Sequence, residues 1–243
     1  MSWIAVLLIG VACTDLAFSV RPARVVPECI GATVAVVLGL LAGLTRVVDV
    51  VVLLLVAVVV LVWGQTVTRG FGRGPAWLPL LVLGGAVLLA VAVAGLAPTA
   101  DGLVARWLES TPVPVLTDLD ADRFLLLLAA LGVQLSTGNV LVRLVLATTG
   151  TVNPARHGFP DDPEAQLKGG RLLGPMERVF ILGLGIAGQL TAASIVIAAK
   201  GLLRFPELSS RREQERIHQL TEYFLVGSFA SWLVALSSLL LLA

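Results

Sequence analysis

Long apolar runs separated by short polar stretches occupy most of the chain. About 20 apolar residues in helical conformation cross a hydrocarbon core of ~30 Å. By that ruler residues 2–20, 28–44, 47–64, 77–97, 123–149, 178–200 and 220–243 are candidate transmembrane helices. The third, fourth and last are the most continuous. The first is shorter and carries Asp15. No basic residue precedes its apolar stretch, and Arg21 and Arg24 follow it, so it reads as a retained span and not as a cleaved signal. The fifth is interrupted by Gln134, Ser136, Thr137, Gly138 and Asn139, as one broken helix or as two short segments. Six and seven spans both fit, and the expected fold is all-α: a polytopic transmembrane helix bundle.

Within these runs small residues recur at helical spacing. Gly31, Ala35, Gly39 and Gly43 stand four apart in the second segment, as do Ala86, Ala90 and Ala94 in the fourth. Gly183 with Ala187 and Gly188 with Ala192 repeat the step in the sixth. Residues four apart share a helix face, and small side chains on that face let two helices approach closely. The third segment is nearly all Val and Leu over residues 50–62 and reads as facing lipid.

The connections differ in character. Residues 98–122 are acidic, with Asp101, Glu109, Asp118, Asp120 and Asp122 against Arg106, and contain an amphipathic stretch at 103–108 with Trp107, suited to a membrane interface. Residues 150–176 are rich in Gly and Pro and read as a loop. After a turn at Phe205 and Pro206, Ser210 and Glu213 form a capping box and Arg211 with Glu215 an i,i+4 pair, so a helix is expected from about Arg211 into the last span. The chain thus divides into a four-span N-terminal helical scaffold (1–97), the acidic loop with its interfacial stretch (98–122), and a C-terminal membrane region holding the polar-interrupted span and two more (123–243).

Composition agrees with this pattern. The chain is 57% hydrophobic and 14% charged, with a mean hydropathy of +0.95, whereas soluble domains carry about 25% charged residues. A net charge of +1 argues against nucleic acid as a partner. Basic residues are mostly Arg, which with abundant Ala, Val, Leu and Gly fits a GC-rich bacterial genome. Two cysteines, Cys13 and Cys29, make no disulfide framework, and two histidines, His157 and His218, argue against a histidine-rich metal or haem site while leaving a carboxylate site open. No cofactor and no metal are expected. Basic residues flank both sides of a seven-span arrangement. The acidic 98–122 connection favours its own side as the outside, with the N-terminus outside and the C-terminus inside.

Polar groups deep in spans are the candidates for chemistry, because an ionisable group at membrane depth costs roughly 2.5–3.5 kcal/mol on insertion scales. Asp15, Gln134, Ser136, Thr137, Asn139 and Arg143 are candidates for a pathway or polar core. For Asp15 the plain alternative is an interfacial pair with Arg21 or Arg24, for Asp49 a surface pair with Arg46, and for the 134–139 run ordinary interhelical hydrogen bonding. Arg171, Glu177, Arg178, Lys200, Arg204, Glu222 and Tyr223 are candidates for holding an anion or lipid phosphate, or for anchoring at the interface. There is no phosphate-loop, HExxH or GxSxG motif. The GxGxxG in "GLGIAG" (183–188) lies inside an apolar run with no preceding strand, and reads as packing glycine instead of a dinucleotide fingerprint.

The runs "GRLLGPMER" (170–178), "AAKGLLRF" (198–205) and "TEYFLVGS" (221–228) come in order around two apolar segments. In these runs the C-terminal third resembles a bacterial family of multi-pass membrane proteins of unknown function. The resemblance implies that Arg171, Glu177, Arg178, Lys200, Arg204, Glu222 and Tyr223 are characteristic polar positions. The family pattern also has a His and an Asp in the first span. Asp15 matches the acid, and no histidine stands near it.

Three functions follow as expectations. The first is a small transporter or channel-like protein for an ion or small solute, in the inner or plasma membrane. The second is a lipid-phosphate-binding protein or enzyme, although no catalytic motif supports an enzyme. The third is a non-catalytic subunit or scaffold. Membrane lipids are the expected partners, with a homo-oligomer or a partner membrane subunit reached through the small-residue faces.

Overall fold

The computed structural model describes residues 1–72, 74–113, 116, 119–151, 170–209 and 214–243. Among these the chain is helical throughout, with no strand. The main elements are α1 (Ser2–Val20), α2 (Val26–Leu41), α3 (Val47–Gly70), α4 (Trp77–Ala92), α5 (Leu103–Ser110), α6 (Ala121–Gly132), a π turn (Val133–Thr137), α7 (Gly138–Thr148), α8 (Gly170–Ile186), α9 (Leu190–Ser209) and α10 (Gln214–Leu242). Among the described residues four stretches are long and apolar enough to cross a membrane: Ser2–Val20, Val47–Gly70, Ala121–Thr148 and Thr221–Leu242. Val26–Leu41, Trp77–Ala92 and Leu190–Ala199 are shorter apolar helices. The fold is therefore all-α and compatible with a membrane protein.

The chain forms two compact units. The first comprises Met1–Thr68 and Leu78–Thr137, the second chiefly Arg69–Trp77 and Gly138–Leu241.

In the first unit α1 is the central helix. Every residue from Ser2 to Leu8 is buried, as are Gly10, Val11, Ala12, Thr14 and Asp15. A helix apolar on all sides is stable only when enclosed on all sides. The small-residue face of α2 provides part of that enclosure. Gly10 lies against Ala35 and the Gly31 carbonyl, and Gly31 against Thr14, so α1 and α2 run antiparallel with their backbones close. Gly39 lies against Leu53 of α3. This face is filled within its own unit and is not open to a partner helix. The α3 reading needs correction. Leu54, Leu55, Val58 and Val62 are exposed, as a lipid-facing helix requires, but Leu53, Val56, Val60, Trp63 and Val67 form a buried stripe on the other face. A run of Val and Leu hides that stripe, since both faces have the same composition. The alanine row Ala86, Ala90 and Ala94 is half-buried; in α4 Pro79 and Leu83 are buried, and a Cβ at Gly84 or Gly85, off that row, would meet nothing within 4 Å. The amphipathic stretch is the helix α5, with Leu108 buried and Trp107 in tilted ring contact with Phe124, 5.7 Å between centroids.

The fifth segment is one helix, Ala121–Thr148, with five residues of π geometry in the middle. The sixth is not a single span. α8 stops at Ile186, Gly188 takes φ +72°, and the Gln189 N–H donates to the Leu184 carbonyl at 2.8 Å. This is a Schellman-type stop, for which glycine is suited because a left-handed φ costs it nothing. Gly188 is thus a helix terminator and not a packing residue. Beyond it α9 folds back, and Ile181 and Leu184 gather with Ala193, Ile197, Trp232 and Ala235 in one apolar cluster. Gly185 accommodates Leu239 of α10. The expected last helix is described from Gln214, and its capping residues Ser210, Arg211 and Glu213 lie outside the described residues.

Candidate functional site

Each unit holds a cluster of buried polar side chains.

In the first unit Asp15 lies five residues before the end of α1, only 7% exposed. Its Oδ1 accepts a hydrogen bond from the Trp63 indole N–H at 3.1 Å. The Thr137 hydroxyl neighbours the same carboxylate, yet neither Thr137 Oγ1 nor Asp15 Oδ2 completes a hydrogen bond. Arg21 and Arg24 are exposed and do not pair with Asp15, so the expected interfacial pair is not formed. The reason is geometric: Asp15 faces inward, where the large indole of α3 reaches it.

The π turn brings Thr137 to this place. A π turn adds a residue to the helical repeat and re-aims the side chains that follow, and such turns often mark functional sites. Gln134 and Thr137 are fully buried. Ser136 fastens the turn, donating to the Ala12 carbonyl at 2.9 Å and to that of Gly132 at 3.0 Å. The Gln134 amide donates to the Ala130 carbonyl at 3.3 Å.

A second carboxylate, not singled out in the sequence, lies on the same group of helices. Glu28 is 3% exposed; its Oε1 accepts from the Gln65 amide at 3.1 Å, and its Oε2 has no partner. Its side chain packs on Gly64. Trp63, Gly64 and Gln65 are consecutive in α3, so one helical turn contacts both carboxylates. Asp49 is buried too, but satisfied. It accepts from the Trp3 indole at 3.2 Å and from the Arg46 backbone N–H at 3.3 Å. The second bond is the backward half of a capping box at the start of α3. Asp49 is therefore a structural cap and not a surface pair with the Arg46 side chain.

In the second unit Arg178 is 1% exposed. Its guanidinium donates to Asn139 Oδ1 at 2.8 Å and to Ser231 Oγ at 3.2 Å, and lies flat against Gly138. Glu177 accepts from the Trp232 indole at 2.9 Å. Glycine at 138 is required by that stacking, because a Cβ there would meet the guanidinium. Asn139 belongs to this cluster, apart from the Asp15 group. Arg143 stacks over the Phe71 ring at 5.1 Å, a cation–π contact. Glu222 is exposed and weakly bonded to Thr151 at 3.4 Å; Tyr223 is half-buried. The side chains of Arg171, Lys200, Arg204 and His218 lie outside the described residues.

Trp63, Glu28, Gln65, Ser231 and Trp232 are the site residues that sequence reasoning missed. The one local signal was the Trp63-Gly64-Gln65 break at the end of an otherwise Val and Leu run. No group of three or more His, Cys, Asp or Glu able to hold a metal ion occurs among the described residues. The Asp15 group can bind a proton or a cation, because it presents an anionic oxygen and a hydroxyl without internal partners. Set against family models, curated proteins and solved structures, the chain matches none of them.

Proposed function

We propose that the protein is a multi-pass protein of the inner or plasma membrane that moves an ion or small solute, as a small transporter or channel-like protein, with the Asp15–Thr137 group as its intramembrane binding site. The observation that carries this reading is a buried carboxylate beside a buried hydroxyl, Asp15 and Thr137, whose atoms Oδ2 and Oγ1 complete no hydrogen bond, at the π turn of a 28-residue apolar helix. Packing alone does not call for them. Interhelical hydrogen bonds serve packing when they are made, and an unmade one at a buried carboxylate costs more than a neutral apolar residue would. Such residues in membrane segments mark ion and proton pathways.

The crossings are counted as six: α1, α2, α3, α4, the continuous α6–π–α7 helix, and α10. At 1.5 Å per residue the 16 residues of α2 and of α4 reach about 24 Å, short of ~30 Å by an amount that local bilayer thinning accommodates. α8 and α9 enter and return as a hairpin. Six crossings, one of the two counts that the apolar runs allow, place both termini on one side.

The lipid-phosphate reading gains less support. Of that set the two described buried side chains, Glu177 and Arg178, are turned inward, to Trp232 and to Asn139 and Ser231.

Flux of a panel of ions and small solutes into liposomes containing the purified protein tests the proposal. Asp15→Asn is expected to abolish the flux and Thr137→Ala to reduce it, with both variants monodisperse in gel filtration. Unchanged flux in correctly folded Asp15→Asn protein would rule out this site as the pathway.

A further inference from the structure

We infer that Glu28 is a second ion-binding carboxylate working beside Asp15, and that the pair takes a monovalent cation, a proton or an alkali-metal ion. This rests on the reading of Asp15 as a binding site and adds the class of ion.

Both carboxyl groups are more than nine-tenths buried, and each uses only one oxygen. Asp15 Oδ1 receives the Trp63 indole and Glu28 Oε1 the Gln65 amide, while Asp15 Oδ2 and Glu28 Oε2 have no partner. The groups facing Asp15 are Trp63 from α3 and Thr137 from the π turn; those facing Glu28 are Gly64 and Gln65 from α3. Among the described residues none of these is charged. A buried carboxylate oxygen without a partner is costly in low dielectric, and a bound cation offsets that cost. The free ends of the helices soften this cost only at Glu28, in the first turn of α2, where the N-terminal dipole favours an anion.

The donor set limits the class of ion. Asp15 has two neutral polar companions, Trp63 and Thr137, and Glu28 has one, Gln65; among the described residues no third acid joins them, so the charge and ligand number that a divalent ion requires are missing. A single positive charge matches a single carboxylate. Access fits as well. Asp15 lies about 8 Å below the C-terminal end of α1 at 1.5 Å per residue, and Glu28 is three residues into α2. The two carboxylates therefore sit near the same end of the antiparallel α1–α2 pair, Glu28 nearer its mouth and Asp15 deeper. An ion entering from that end meets Glu28 first.

The gap between α2 and α3 is shaped for Glu28. Gly64 leaves no side chain where Glu28 Cγ lies. Any other residue at 64 would displace the carboxylate from Gln65.

Labelling with dicyclohexylcarbodiimide, which modifies protonated carboxyl groups in apolar surroundings, tests the inference on the purified full chain in detergent without any flux measurement. Mass spectrometry of peptides is expected to find the adduct on both Asp15 and Glu28, and to lose it singly in D15N and E28Q. Protection by sodium or potassium chloride at constant pH identifies an alkali-metal ion. Protection only as pH rises identifies a proton. Absence of the adduct on Glu28, or labelling that responds to neither salt nor pH, would overturn the inference. If labelling responds while liposomes show no flux, the ion site stands and transport falls. If flux depends on Asp15 while Glu28 is never labelled, transport stands and the paired site falls.

Discussion

At the scale of single residues, the carboxylates differ by what reaches them. Asp15, Glu28 and Asp49 are all buried, yet Asp49 has both oxygens engaged and Asp15 and Glu28 one each. That Asp15 sits in a span was legible, because one acid in an apolar run of this length is conspicuous. Its partner was not: the indole that holds it comes from 48 positions away, and nothing local to Asp15 distinguishes an inward face from one turned to Arg21. Trp63→Phe keeps the ring and removes the donor. The carboxylate then keeps no completed hydrogen bond, and the loss is expected to be about 1–3 kcal/mol, read as a lower thermal midpoint in detergent. Arg178 offers a second test. A lysine in its place keeps the charge but cannot present a planar fork to both Asn139 and Ser231. Arg178→Lys is expected to cost about 2 kcal/mol, on the scale of a hydrogen bond to a charged group. A thermal midpoint equal to that of the native chain would show that the two bonds carry no weight.

At the scale of elements, the spacing of small residues was legible but its meaning was not uniform. The row on α2 is a contact face against α1 and α3; the row on α4 is only half-buried, and Gly84 beside it lies in open space. Spacing says that close approach is permitted, and only the neighbour decides whether it happens. The contrast makes a paired experiment. Gly31→Ala drives a methyl group into the Gly10 carbonyl and Thr14, and overpacking of this kind costs about 1–3 kcal/mol. Gly84→Ala meets nothing and removes a helix-interior glycine, so it is expected to be neutral or to stabilise by up to about 1 kcal/mol. Thermal unfolding of both variants checks the pair, and equal effects would contradict the packing. The break in the sixth segment was missed for a related reason. "GLGIAG" reads equally as a close-packed helix and as a helix end, since glycine serves both, and the backbone settles it through the positive φ at Gly188. Gly188→Ala would meet no atom within 4 Å, so its whole cost is backbone strain, about 1 kcal/mol. The fifth segment was read more nearly: its polar interruption was visible as composition, and the π turn is the form that it takes.

At the scale of the whole molecule, the helical class was plain from the apolar runs, but not the number of crossings, because an interrupted apolar run and a continuous one have the same composition. Reporter fusions at the two ends are expected to place both termini on the same side of the membrane; opposite sides would restore an odd number of crossings. The chain forms two compact units, each with its own buried polar cluster. The N-terminal unit is more than a scaffold in this view, since its central helix carries Asp15. The most direct measurement is a high-resolution density map of the protein in a lipid bilayer disc. Density bridging Asp15 Oδ2 and Thr137 Oγ1, as a bound ion or an ordered water, is the result expected of a binding site. A carboxylate turned outward to Arg21 or Arg24, with apolar side chains closed over Thr137, would contradict it.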